Sequence, residues 1–191
     1  MNLVKLFVLW FIVYGFMVTN LHAGNCTKGN CKNGKGMMLY KNGDRYIGEF
    51  RSEFKEGIGT YFYSNGDKYV GEFKNDKPNG SGTATLADGS EYVGQFRDNY
   101  PEGEGTMTYS SGSIYTGAWH NGLKHGYGTM MYNSGNKYSG EWRYGKREGR
   151  GVFTYVNYQS EPKKPKKPKK SRPTAFKENS QIPFWTTHQT Y

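Results

Sequence analysis

Along residues 46 to 160, rings and small residues alternate in short runs that recur every 23 positions, in five copies. The first column of this repeat is Tyr46, Tyr69, Tyr92, Tyr115 and Tyr138; the third is Gly48, Gly71, Gly94, Gly117 and Gly140. The fifth is Phe50, Phe73, Phe96, Trp119 and Trp142. The twelfth is Gly57, Gly80, Gly103, Gly126 and Gly149, and the fourteenth is Gly59, Gly82, Gly105, Gly128 and Gly151. Gly34 and Gly36 place the second half of a further unit upstream. An alternating Tyr-x-Gly-Glu-Phe run followed by an alternating Gly-x-Gly-Thr-x-x-Tyr run has the period of two that marks a strand, so each unit reads as two short strands. Between units stand Asn42-Gly43, Asn65-Gly66, Asp88-Gly89, Ser111-Gly112 and Ser134-Gly135, which read as hairpin turns. A second turn after the fifth column looks looser, with Asn121-Gly122 its one clear signal.

The predicted fold is all-β: an elongated, single-layer antiparallel meander of successive hairpins. Glycine recurs too often for a helix interior, where each costs about 1 kcal/mol. A unit this short cannot shelter its own rings and must stack on the next. Two strands per unit advance the array by roughly 10 Å, so five and a half units span roughly 50 Å. The columns of glycine strip one strand face of side chains and let rings lie against the backbone. The tyrosines and the Phe or Trp column are therefore read as packing residues. The pairing register, and with it the face that holds the rings, stays open.

The units "YVGEFKNDKPNGSGT", "YTGAWHNGLKHGYGT" and "YSGEWRYGKREGRG" resemble the MORN family, the membrane occupation and recognition nexus. The resemblance covers residues 46 to 160 and the partial unit near 34 to 45. It implies a curved sheet of hairpins with a groove, often ending in a cap or a self-association surface. It also implies scaffold roles, through lipid in some members and protein in others. Gln95 and Ala118 depart from its acidic fourth column, and Tyr158 stands at the turn glycine of the last copy, as expected of a terminal unit.

Composition extends this picture at the two ends. The 191 residues include 27 Gly, 17 Tyr and 11 Phe, too aromatic for a wholly disordered chain and without the three-residue glycine period of collagen. An apolar run from Leu6 to Val18 precedes Ala23, so residues 1 to 23 read as a secretory signal peptide, with an uncleaved N-terminal anchor as the alternative. This places the array, residues 24 to 160, in a secreted, periplasmic or envelope setting. Cys26 and Cys31 are candidates for a disulfide there, within one chain or between two. Two sulfurs without a neighbouring histidine leave a zinc shell half empty. Asn25-Cys-Thr and Asn79-Gly-Ser fit the glycosylation acceptor pattern.

After Ser160 the chain changes to a tail of Pro and Lys that ends in Ile182, Pro183, Phe184, Trp185 and Tyr191. Residues 161 to 191 carry eight Lys or Arg against two acids, leaving residues 24 to 160 at only +3 of the chain's formal +10. The Pro-Lys run is expected to be extended and polyproline-like. Lys163, Lys164, Lys166, Lys167, Lys169, Lys170 and Arg172 are candidates to hold an anionic lipid or envelope polymer, or to serve as a solvated spacer. Nucleic acid is the least suited partner of an exported chain. The apolar end is read as docking on the chain's own sheet or at a lipid interface.

Enzymatic constellations are hard to assemble. His120 and His125 occur in one unit without counterparts, His22 lies at the expected cut, and His188 is in the tail. Glu49, Glu72 and Glu141 recur at one unit position, where neighbouring units would set them roughly 10 Å apart, rather wide even for a water-inserting carboxylate pair, and Gln95 and Ala118 break the row. They read as a repeated ion pair or turn hydrogen bond. Each Gly-x-Gly leads into a strand, not into the helix N-terminus a phosphate loop needs. No catalytic residue, metal or organic cofactor is expected. The sequence therefore points to an exported repeat scaffold that binds protein, itself included. The alternative is an envelope- or membrane-surface module attached through its tail.

Overall fold

The computed structural model describes residues 24–156. The segments read above as a leader and as a basic tail lie outside the described residues, as does Tyr158. Among the described residues every regular element is a strand. These are β1 (Gly24–Gly29), β2 (Gly34–Tyr40), β3 (Arg45–Arg51), β4 (Phe54–Phe62), β5 (Lys68–Lys74), β6 (Lys77–Thr85), β7 (Glu91–Arg97), β8 (Tyr100–Thr108), β9 (Ile114–His120), β10 (Leu123–Met131), β11 (Lys137–Arg143) and β12 (Lys146–Thr154). They form one antiparallel sheet in strictly sequential order, the meander that the repeat predicted.

Register, open at the level of sequence, follows from two kinds of turn. The Asn42-Gly43 turn is a three-residue loop: Gly43 N–H donates to Tyr40 O at 3.1 Å, Tyr40 N–H to Asp44 O at 2.9 Å, and Gly43 adopts φ +91°. This is a type I turn closed by a left-handed bulge residue. The turn expected to be looser is in fact the tighter one. Arg51 pairs directly with Phe54, leaving Ser52 (φ 50°) and Glu53 (φ 72°) as a two-residue turn with both residues left-handed. Asn75-Asp76, Asp98-Asn99, Asn121-Gly122 and Tyr144-Gly145 repeat it. Four of these five turns put a non-glycine residue at both or the first left-handed position without the Asn-Gly signature, which hid them from the sequence pattern.

With this register the third- and fourteenth-column glycines face each other, as in Gly48↔Gly59 and Gly71↔Gly82. The first-column tyrosine of the same unit lies across that bare pair. A methyl group at Gly59 would sit 2.5 Å from Tyr46 Cζ and closer still to its hydroxyl, and Gly82 is equally filled by Tyr69. The ring extends over the backbone and its hydroxyl donates to the carbonyl three residues on, Tyr46 to Glu49 O and Tyr69 to Glu72 O, both at 3.0 Å. This is how a single-layer sheet hides a large ring: Tyr46, Tyr69, Tyr92 and Tyr115 are all 0% exposed.

Each tyrosine also meets two rings edge-on. Tyr46 lies 5.1 Å from Phe50 of its own unit and 4.9 Å from Phe73 of the next, at 89° and 76°. The same pair of contacts recurs at Tyr69, Tyr92 and Tyr115, and Tyr138 keeps its Trp142 contact. The core is thus a zigzag of edge-to-face rings running the length of the sheet. Each such pair contributes about 0.5–1.5 kcal/mol beyond its buried area.

Candidate functional site

The ring-bearing face is completed by the residue opposite the fifth-column aromatic: Lys55, Pro78, Pro101, Lys124 and Arg147 pair with Phe50, Phe73, Phe96, Trp119 and Trp142. The cations use the rings as partners. Lys124 Nζ sits 4.4 Å from the Trp142 ring centre, and the Arg147 guanidinium 5.3 Å from Tyr138. Lys55 is buried, with Nζ 3.5 Å from Asp76 Oδ1, 3.2 Å from Tyr40 Oη and over the Tyr61 ring at 5.1 Å. Burial pulls its pKa below the usual lysine range, against the opposing pull of Asp76. Burial also pushes the phenols of Tyr40, Tyr46, Tyr61, Tyr69 and Tyr92 well above the ordinary tyrosine range, so they remain neutral.

Both rims of the sheet are latched from unit to unit. On the three-residue-turn rim, a short polar side chain accepts the backbone N–H of the next turn. Asp44 Oδ1 takes Ser64 N–H at 2.8 Å, Asp67 takes Ala87, Ser90 Oγ takes Ser110, Ser113 takes Asn133 and Asn136 takes Val156. Asp44 also accepts from Tyr61 Oη at 2.8 Å and from Asn42. Desolvation is the largest influence on its carboxyl and pushes the pKa up. The hydrogen bonds from Ser64, Tyr61 and Asn42 outweigh it and hold the group below its usual range. On the opposite rim the second turn residue donates its N–H back one unit: Glu53 to Lys32 O, Asp76 to Lys55 O, Asn99 to Pro78 O, Gly122 to Pro101 O and Gly145 to Lys124 O. The column Asp44, Asp67, Ser90, Ser113, Asn136 was not singled out from sequence. Its constant short, oxygen-bearing character at one repeat position was the available signal.

The opposite face of the sheet carries a row in which directly paired residues run from strand to strand: Ile47, Thr60, Val70, Thr83, Val93, Thr106, Thr116, Thr129 and Ser139. At its C-terminal end, an open depression of about 570 Å³ is lined by Thr116, Thr129 and Ser139 of this row together with Tyr127, Arg150 and Val152. It holds no base beside a nucleophile.

The recurring acids share one seat, each with a carboxylate oxygen beside the twelfth-column glycine of its unit, Glu49 at Gly57, Glu72 at Gly80 and Glu141 at Gly149, but their polar partners differ. Glu49 lies 3.6 Å from Lys35 Nζ, Glu72 accepts Ser81 N–H at 2.8 Å, and Glu141 accepts the Tyr127 hydroxyl at 3.2 Å. His120 Nδ1 meets Glu102 Oε1 at 3.2 Å, while Glu102 Oε2 accepts Asn121 N–H at 3.0 Å. The His125 ring lies 5.5 Å from that of His120. Among the described residues no group of three or more His, Cys, Asp or Glu is arranged to hold a metal ion. Cys26 and Cys31 are joined within the chain, with Cα atoms 5.9 Å apart, at the junction of β1 and β2. The candidate anion-binding residues Lys163, Lys164, Lys166, Lys167, Lys169, Lys170 and Arg172 lie outside the described residues.

At the C-terminal end, β12 pairs with β11 and with no other described strand. All of its residues except Phe153 are exposed. The family model described as MORN repeat matches residues 29–45, 46–68, 69–91, 92–114, 115–137 and 138–160. No curated protein matches the chain. Among solved structures, the SAS-4 (dCPAP) TCP domain of Drosophila melanogaster, in complex with a Proline Rich Motif of Ana2 (dSTIL), is 15% identical. It matches with a TM-score of 0.41 over 64% of this chain and 66% of that one. The TCP10 domain of Danio rerio CPAP, in complex with a peptide of Danio rerio STIL, is also 15% identical, with a TM-score of 0.28 over 63% and 57%. The chain therefore spans less than two thirds of the length of either.

Proposed function

Since the chain belongs to the MORN-repeat family, we propose that it is a non-enzymatic scaffold that binds protein, a second copy of itself included, by adding a strand to the outer edge of β12. The observation that carries this reading is that edge itself. Every other strand from β2 to β11 has a neighbour on both sides, whereas β12 offers its second row of backbone N–H and C=O groups to no described strand. Such an edge is a template for pairing, and main-chain hydrogen bonds there give affinity while alternate side chains give selectivity. Exposed Arg147 and Arg150 flank the edge, next to exposed Val152, and favour a partner strand with acidic and apolar positions in alternation.

The reading is tested by hydrogen exchange and light scattering on the full chain at rising protein concentration, and in the presence of proteins captured from its native compartment. Slowed exchange of alternate β12 amides is expected with each bound partner. A chain that stays monomeric throughout removes self-pairing. Captured partners that leave β12 exchange unchanged refute strand addition.

A further inference from the structure

The face opposite the rings changes character along the array. At the second repeat position it presents Ile47, Val70 and Val93, and then Thr116 and Ser139. At the fourth position the acid or amide of the other units gives way once, to Ala118. At the thirteenth, Ile58, Ser81 and Glu104 are followed by Tyr127 and Arg150. The open depression of about 570 Å³ lies where these three changes meet, within the size range of small-molecule sites, about 300–1,000 Å³.

Its floor is made of hydroxyls where the earlier units have aliphatic side chains. Thr129 Oγ1 and Ser139 Oγ are 3.0 Å apart, and Thr116 Oγ1 lies 3.2 Å from Thr106 Oγ1. Either member of each pair can be the donor, so each pair keeps one hydroxyl proton and several lone pairs for a ligand and can reverse its direction to suit it. One wall is the ring of Tyr127, 68% exposed, which leans toward β11 because its hydroxyl donates to Glu141 Oε1 at 3.2 Å. The space beside Gly126 that a long fourth-column side chain fills in other units holds only the Ala118 methyl, whereas the Gln95 amide crowds the equivalent Gly103. Val152, also 68% exposed, pairs with Ser139 and supplies a second apolar contact. The charged groups are one of each sign, the Arg150 donor in the lining and the Glu141 acceptor at the edge. An anion would meet Glu141 and a cation would meet Arg150. The arrangement therefore suits a neutral molecule with a flat apolar face and a margin of groups that both donate and accept.

We propose that this depression is a carbohydrate-binding site for a neutral pyranoside with equatorial hydroxyls. The C–H face of such a ring stacks on Tyr127, while its hydroxyls, projecting around the margin, exchange hydrogen bonds with Thr129, Ser139 and Arg150. The site lies on the face of the sheet, so it is independent of strand addition at the outer edge of β12. It is confined to the last two units, because Val70 and Val93 close the equivalent space in the second and third.

The test is a nuclear magnetic resonance titration of the full chain with two probes, cellotetraose and the β-1,4-linked tetramer of N-acetylglucosamine. Saturable shifts are expected from at least one probe at the Tyr127 ring, the Thr116 and Thr129 methyls and the Val152 methyls, with Val70 and Val93 unmoved. Tyr127→Ala should weaken binding about fivefold or more, the worth of one ring contact, and Tyr127→Phe should keep most of it. The double variant Thr116→Val, Ser139→Val gives the floor the residue that this sheet already carries at Val70 and Val93, so the fold is retained. It should also weaken binding about fivefold or more. No shift at these residues with either probe up to about 20 mM, weaker than any useful site, refutes the proposal. So does binding that survives both Tyr127→Ala and the double valine variant, or an equal response to glycerol at matched hydroxyl concentration. Inorganic sulfate that moves the same residues when neither sugar does overturns it in favour of an anion site.

Discussion

Alanine at Gly59 tests directly whether the sheet depends on space reserved for a ring. Gly59 does not adopt a left-handed φ, so the backbone accepts alanine and the cost is one of volume alone. The added methyl would stand 2.5 Å from Tyr46 Cζ, and backbone atoms of Gly48 line the other side. Tyr46 must therefore leave its seat. It is 0% exposed, its hydroxyl bonds Glu49 O at 3.0 Å, and it makes edge-on contacts with Phe50 and Phe73. Losing the hydrogen bond costs about 1 kcal/mol and loosening the ring pairs about 1–2 kcal/mol more. Exposing part of a buried aromatic brings the total to about 3–5 kcal/mol, in the range of large core disruptions. Urea denaturation followed by near- and far-ultraviolet circular dichroism measures this. A cycle with Tyr46→Ala identifies the cause. Once the ring is gone the methyl has room, so the double variant should be less destabilised than the sum of the singles by about 2 kcal/mol or more. A Gly59→Ala cost under about 0.5 kcal/mol, or additivity in the cycle, would refute the account.

Two further outcomes follow from the polar groups on the ring-bearing face. The double variant Lys55→Met, Asp76→Asn, which keeps the stem over Tyr61 and an acceptor for Lys55 N–H while removing both charges, should change stability by less than about 1 kcal/mol or raise it, as for other buried ion pairs replaced by neutral residues; a clear loss in the same denaturation assay would show that the Asp76 pair is net stabilising. Because the folded-state pKa of Asp44 is depressed, its contribution is complete above the unfolded carboxylate value near 3.9 and disappears as pH falls through the lower folded value. Thermal melts from pH 5 to 2 should therefore show a steeper acid loss in the unmodified chain than in Asp44→Asn, and parallel profiles would contradict the assignment.

Much of this architecture is visible in the columns of the repeat. Tyr46 and its equivalents, the glycine pairs and the Asn42-Gly43 type of turn announce hairpins, because each demands a particular residue at a particular place. What the columns leave out depends on backbone register. Ser52-Glu53 and Asp98-Asn99 form tight left-handed turns with residues that are common elsewhere, and the neighbouring latch from the second turn residue to the preceding unit's carbonyl uses backbone alone. Any side chain satisfies that latch, so it leaves no mark in composition. β1 escaped notice for a related reason: GNCTKG has neither rings nor the repeat spacing, and it is tied to β2 by pairing and by the Cys26–Cys31 link. The row on the face opposite the rings was less legible still. Val70 and Val93 are ordinary strand residues until pairing through Thr83 sets them on one line at a fixed step.

The rim latches join each turn to its counterpart one period away, and neither rim makes a longer connection among the bonds described. Gain or loss of whole 23-residue blocks would therefore leave every surviving turn with an equivalent partner, whereas an indel that is not a whole number of blocks would break the latches at the turn it enters. Copy number is consequently the dimension in which this molecule can lengthen or shorten without being redesigned, its span rising in increments of a single hairpin's width.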